Sequence, residues 1–255
     1  MQILIGCAKT MTDNVRSEAP ETTKPAFLDI ANRLADQLAT YSSDELQAML
    51  HANRQIANEN WLRYQEFGLS STEIPAAYGY DGMVFRKLAP ESMSSEDLLY
   101  ANNHLFIGSF LYGLLRPLDI IHRYRLEGDV ELPCAGGESL FNFWKPILTD
   151  WFIEKVKADD GILVNLASNE FRNIFDWKRV NKELTVITPE FKVEKDGKLK
   201  TVVIYAKMCR GAMARHIIRN RTSDMEQLKD FEFEGFKYES VWNFVLRGCL
   251  ITNVN

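Results

Sequence analysis

The absences in this sequence narrow its function first. The four cysteines, Cys7, Cys134, Cys209 and Cys249, are widely scattered and make no CxxC pair. A disulfide framework is not indicated, and a reduced, cytoplasmic chain is expected. The four histidines, His51, His104, His122 and His216, show no metal-ligand spacing, so no resident metal and no stoichiometric iron are expected. No apolar stretch approaches the ~20 residues of a membrane span, and no membrane partner is expected. Gln2–Gly6 is too short an apolar run, and lacks the basic region before it, to serve as a secretory signal. The GxxxxGK, GxSxG and HExxH frames are missing, as is GxGxxG in a strand-to-helix setting. No cofactor is expected. Basic residues do not dominate either: 30 Lys and Arg face 35 Asp and Glu, a net charge of −5. Dedicated nucleic-acid binders are usually basic, so any polyanion site here has to be a local patch in a repulsive field.

What is present reads as an ordinary globular chain, with 255 residues, 46% apolar and 25% charged. Gln2–Gly6, His104–Ser109 and Ile162–Ala167 are short apolar runs that read as buried strands. Phe27, Ile30, Leu34 and Leu38 recur at helical spacing, which predicts a helix over Ala26–Thr40. Ser43 opens a further helix with acids in its first turn, and Trp61–Phe67 another after a polar break. Ser95 reads as the cap of a helix through Tyr100. Tyr112–Arg125 reads as a strand exit and an ordered loop, because Pro117 interrupts a helix. Glu138–Val156 carries a broad apolar face, with a bend expected at Pro146. Asp196-Gly197 between two alternating runs, Leu184–Val193 and Leu199–Tyr205, predicts a hairpin. Phe231–Tyr238 and Trp242–Arg247 read as closing strands. The order implies an α+β fold, a mixed sheet flanked by helices, as one domain over residues 1–255 with the helical pair at 43–67 as a subdomain or insertion.

One stretch is basic throughout. Lys207–Arg221 holds Lys207, Arg210, Arg215, Arg219 and Arg221 with no acid. On a helix, Lys207, Gly211, Arg215 and Arg219 stack into one ridge, while Met213 and Ile217 form an apolar ridge for the core. Gly211 leaves room for a ligand or a neighbouring element. Such a helix can bury one side and present guanidinium forks to phosphates, or it can be a solvated basic face.

The other polar residues gather at predicted strand ends. Lys9 and Thr10 follow the first strand and Tyr112 and Arg116 the second. Asn165, Ser168, Asn169 and Glu170 follow the third, and Lys207, Arg210 and Arg215 a fourth. If these ends share one edge, they form a cationic pocket with one carboxylate, suited to phosphate, a nucleotide or a nucleic-acid backbone. Glu170 is then a candidate catalytic base or an arginine partner. A backbone binder needs a long open groove and a nucleotide enzyme a closed pocket.

CAKT, AYGYDGMVF, GSFLYGLLRPLDIIHRYRLE, LFNFW, LVNLASNEF and IYAKMCRGAMARHII, in this order, resemble the motif series of the YaaA family of peroxide-stress proteins. The resemblance implies a bacterial, cytoplasmic protein of the hydrogen-peroxide response that limits damage from unincorporated iron. It also implies double-stranded DNA binding through a helix-hairpin-helix-like element and a basic cleft. That cleft would correspond here to Lys9, Arg116, Arg125, Lys207, Arg210 and Arg215, and the helix-hairpin-helix to Ser43–Phe67. Gly6-Cys7 stands where the family commonly has Ser-Pro.

Overall fold

The computed structural model describes residues 1–14, 18–69, 73–241 and 243–246. The chain opens with strand β1 (Gln2–Gly6) and three helices, α1 (Leu28–Ala39), α2 (Ser43–Met49) and α3 (Arg54–Gln65). A short strand β2 (Ile74–Pro75) leads into helices α4 (Ala76–Gly79), α5 (Met83–Leu88) and α6 (Ser95–His104). Strands β3 (Leu105–Ser109), β4 (Gly113–Leu115) and β5 (Ile120–Ile121) precede the long helix α7 (Leu140–Lys157). Strand β6 (Ile162–Asn165) is followed by α8 (Asn169–Arg172), α9 (Trp177–Glu183), and strands β7 (Thr185–Ile187), β8 (Glu190–Lys195) and β9 (Lys198–Lys200). Helix α10 (Val203–Asn220) and strands β10 (Glu232–Phe233), β11 (Phe236–Ser240) and β12 (Asn243–Leu246) complete the described chain. The fold is α+β, as its sequence pattern implies. No helix among the described residues is long and apolar enough to cross a membrane.

The site is positioned by a five-stranded sheet of order β4-β3-β1-β6-β7. β1 lies at its centre and runs parallel to β3 and β6, β6 runs parallel to β7, and β4 is antiparallel to β3. Ile3, Leu4 and Ile5 are fully buried, as continuous apolar strands of a covered parallel sheet should be. From β1 the chain passes to β3 on one side and later to β6 on the other. Between β1 and β6 it therefore creates the crevice where open parallel sheets place ligands. Helix α7 covers the sheet with Trp144, Leu148 and Phe152, and the Trp144 indole N–H donates to the Phe110 carbonyl at 2.8 Å. A second sheet has the order β10-β11-β12-β8-β9, with β12 parallel to β8 and the other pairs antiparallel.

Several local expectations are corrected. Leu184–Val193 is two strands in two sheets, divided at Thr188-Pro189; proline lacks the N–H that a ladder needs. The hairpin at Asp196-Gly197 is present, but its second strand stops at Lys200 and Val203 already begins α10. Alternation at Val202–Lys207 satisfied a strand pattern. The helical period that buries Ala206, Cys209 and Met213 against the fold prevails over it. Ser94, not Ser95, caps α6, its side chain accepting from the Asp97 N–H. Tyr112–Arg125 contains β4 and β5, and α7 runs as one helix through Pro146. Trp242 and Arg247, at the bounds of the last expected strand, lie outside the described residues.

Helix α10 packs on α5, α6 and β8. Its crossing with α5 is backbone on backbone: a Cβ at Gly211 would lie 2.0 Å from the Val84 carbonyl oxygen. At an open helical site Gly→Ala stabilises by about 1 kcal/mol. Here Gly211→Ala is expected to destabilise by at least ~1–3 kcal/mol, because the two helices must separate. Urea unfolding of the variant checks the sign.

Candidate functional site

The carboxyl ends of β1, β3 and β6 open on a pocket of about 380 Å³. Its walls come from the residues after β1 (Cys7–Thr10), the start of α5 (Gly82–Phe85), Tyr124–Glu127, the β6 exit with α8, and Lys207 and Arg210 of α10. Two glycines make this possible. A Cβ at Gly6 would lie 2.4 Å from the Phe171 ring and one at Gly108 2.8 Å from it, so the ring lies directly across the ends of β1 and β3. Phe171 then stacks on Phe110 with centroids 4.7 Å apart.

Seven of the sequence-predicted residues line this pocket: Lys9, Thr10, Arg125, Ser168, Glu170, Lys207 and Arg210. Asn169 is exposed in the first turn of α8 and does not line it. Arg116 is a correction. The chain turns back after β3, so the end of β4 reaches the amino edge of the parallel sheet, opposite the pocket. There Arg116 donates to Gln2 Oε1 at 3.3 Å and the Asn103 carbonyl at 3.2 Å, and lies 3.7 Å over the Phe106 ring. Burial holds its pKa down at about 10. Arg215 is a second correction. It lies about 7 Å further along α10 than Arg210, at 1.5 Å per residue. Its Nη1 donates to the carbonyls of Leu88 (3.0 Å) and Ala89 (2.8 Å) at the end of α5. Arg219, exposed one turn beyond, does not line the pocket. Ser168 precedes α8 but makes no side-chain cap bond.

Charge in the pocket is partly cancelled by a residue that sequence reasoning missed. Glu127 is buried, 2.6 Å from Lys9 Nζ and 3.1 Å from Arg125 Nη2, and it also accepts from Arg125 Nε. It stands two residues after Arg125, and an acid closing a stretch with three arginines, Arg116, Arg123 and Arg125, was the signal available. Asp81, also in the wall, pairs with Arg86. Among the described residues no carboxylate comes within ion-pair distance of Lys207 or Arg210. Burial, and then the nearby Arg172 charge, lower the pKa of Arg210. Glu170 titrates above the usual range for a glutamate: burial dominates, Glu127 and Asp129 reinforce it, and Lys9 and Lys207 oppose it.

The floor is neutral. Tyr124 shares hydrogen bonds with Ser109 and, at 2.7 Å, with Tyr80. Cys7 lies beside Tyr124, and burial pushes its thiol up to about 12, so it is a protonated thiol near neutrality and a poor nucleophile. Tyr112 packs instead of facing a ligand, its hydroxyl accepting from the His122 N–H at 2.9 Å. No group of three or more His, Cys, Asp or Glu among the described residues is arranged to hold a metal ion. The arrangement suits one anionic group at Lys207 and Arg210, with an uncharged portion on the aromatic floor.

A family profile described as peroxide stress protein YaaA matches residues 1–241. The UPF0246 protein BF3795 of Bacteroides fragilis is 53% identical over 239 residues, covering 93% of each chain. A UPF0246 protein of Phocaeicola vulgatus is 50% identical, covering 94% of each. One from Flavobacterium psychrophilum is 35% identical over 94% of this chain and 95% of its own.

Arg215 and Arg210 share one helix, but Arg215 meets backbone carbonyls and Arg210 lines the pocket. Arg215→Ala is expected to cost ~1–3 kcal/mol by removing charge-assisted bonds to two carbonyls, seen as a lower Tm. If the chain binds duplex DNA, as the family resemblance implies, the salt dependence of that affinity should be unchanged in the variant. A reduced salt slope at unchanged Tm would return Arg215 to the binding set.

Proposed function

This chain belongs to the YaaA family of peroxide stress proteins, and from that premise we propose that it acts in the hydrogen-peroxide response by holding a phosphate-bearing nucleotide unit of DNA in the carboxyl-edge pocket. The observation that carries this reading is the placement of Lys207 and Arg210. They are cations with no carboxylate within ion-pair distance among the described residues, and they line a concave pocket in a chain of net charge −5. A half-buried guanidinium such as that of Arg210 is costly without a carboxylate partner unless an anion completes it.

The geometry favours a pocket over a groove. An extended basic cleft would need Arg116 and Arg215 beside Lys207, and both are committed elsewhere. The helical pair α2–α3 stands where the resemblance implies a helix-hairpin-helix. Its connection lacks glycine, and His51 takes the positive φ of 45° there. The pair carries Asp44, Glu45, Glu59 and Glu66 against Arg54 and Arg63, a balance that opposes phosphate contact. The pocket is therefore the principal contact with nucleic acid. Protection against iron-linked damage would follow from occupying nucleic acid, with no iron held by the protein; elemental analysis of the purified chain tests this, and one tightly held iron per chain would overturn it.

A second reading is favoured by Glu170. An ionised carboxylate in the pocket opposes simple backbone binding, whereas a glutamate whose pKa is raised by burial suits a general acid or base acting on a nucleotide. Glu170→Gln then abolishes turnover while retaining binding.

Two measurements follow. Duplex DNA affinity should fall with salt at a logarithmic slope of about −2 to −3, the release expected from two or three phosphates at ~0.9 each. A slope near −6 would mean a long groove, and absence of binding at low salt would sink the reading. Affinity should also rise as pH falls through the raised titration of Glu170, because neutralising it removes repulsion from a phosphodiester whose own charge is constant. Glu170→Gln should flatten that pH profile.

A further inference from the structure

At the amino edge of the parallel sheet Arg116 borders a second, smaller pocket of about 160 Å³. At ~30 Å³ per water this is room for about five waters, or for a ligand of similar size. Apolar walls come from Ala26, Phe106 of β3, Leu114 of β4 and Trp151 of α7. Three cations line the same pocket: Lys24, Arg116 and Lys155. The Arg116 guanidinium lies 3.7 Å from the centre of the Phe106 ring, and Lys155 Nζ 5.4 Å from that of Trp151. The two rings meet edge to face with centroids 5.9 Å apart, so both cations stand over one aromatic wall. Among the described residues none of the three cations has a carboxylate within ion-pair distance. Of the Arg116 guanidinium, only Nη1 has a protein acceptor there, in the Gln2 and Asn103 oxygens, so Nε and Nη2 keep a fork of donors. The acid of this pocket, Asp119, is 2% exposed. Its oxygens already accept from the Thr23 hydroxyl and the Arg116 N–H, each at 2.7 Å.

We propose that Lys24, Arg116 and Lys155 form a second ligand site, for a small organic carboxylate with a short apolar body. The Nε and Nη2 donors of one guanidinium match the two oxygens of a carboxylate. A half-buried guanidinium with no carboxylate partner is completed by such an anion. Lys24 and Lys155 are exposed and add charge at the rim, while the apolar walls take the body of the ligand. Asp119 limits the anion to one charge, since a doubly charged group meets more of its repulsion. The site shares no lining residue with the carboxyl-edge pocket, so it stands or falls separately from the phosphate reading of that pocket.

The test titrates the full chain with propionate, isobutyrate and benzoate, with the neutral amide of each, and with inorganic phosphate, following heat and Tm. At least one carboxylate is expected to bind about tenfold or more tightly than its amide, the equivalent of one charge-assisted hydrogen bond. R116Q should remove that preference, and R116K should keep part of it, since charge survives while the fork is lost. Arg116 also holds Gln2 and Asn103, so R116Q can lower stability by itself. The double variant K24Q/K155Q avoids this, because both side chains are exposed. It should weaken carboxylate binding at least about threefold at unchanged ligand-free Tm. R210Q, in the other pocket, should leave carboxylate affinity as it is. Equal binding of carboxylates and amides, or no saturable binding of either, overturns the site. So does a carboxylate preference that survives both R116Q and K24Q/K155Q, or one that R210Q removes. Phosphate binding more tightly than every carboxylate overturns the assigned ligand class.

Discussion

The contact on which the rest depends is the crossing of α10 over α5 at Gly211. With the Val84 carbonyl oxygen 2.0 Å from where a Cβ would sit, no side chain fits between the helices. That closeness fixes the register of α10 against the pocket wall. Within the turn that precedes the crossing, Lys207 and Arg210 reach the cavity whose edge is formed by the start of α5. One turn after it, Arg215 meets the carbonyls that end α5. A single backbone contact thus divides the cations of one helix between the pocket and a structural cap.

The sheet supplies the other half of the geometry. Because β1, β3 and β6 run parallel, their carboxyl ends converge, and connections leaving β1 and β6 in opposite directions open the crevice between them. Gly6 and Gly108 let Phe171 lie across those ends and form part of the pocket wall. The wall at Arg125 is braced from the helical pair, where the buried Tyr64 hydroxyl donates to the Arg125 carbonyl at 2.7 Å. Helices α2 and α3 therefore bear on the site through packing, whatever contact they make with a ligand.

Electrostatic compensation decides what the site can do. Glu127 neutralises much of Lys9 and Arg125, which leaves a small cationic patch at Lys207 and Arg210 instead of an extended basic cleft. In an acidic chain that patch is local, and it suits one strongly charged group better than a polyanion laid along a surface. A half-buried thiol and a hydroxyl network form the floor, and the carboxyl of Glu170 stands in the wall with burial disfavouring its ionised form.

Much of this was legible in the residues. Apolar runs at Gln2–Gly6, His104–Ser109 and Ile162–Ala167 marked the parallel strands, because a strand covered on both faces has to be apolar along its length. Chemistry at strand exits was legible for Lys9, Thr10, Ser168, Glu170, Lys207 and Arg210, since local order alone puts those residues beyond a strand or on the helix that follows. The six ordered motifs were enough to identify the family. Other features depended on tertiary structure. Nothing local says that the chain reverses after β3 and carries Arg116 to the opposite edge, that Glu127 folds back onto Lys9, or that Arg215 meets the carbonyls at the end of α5. Periodicity reports which face of an element is apolar. The direction of a neighbouring strand and the partner of a charge are set by contacts between residues far apart in sequence, and those exist only once the chain has folded.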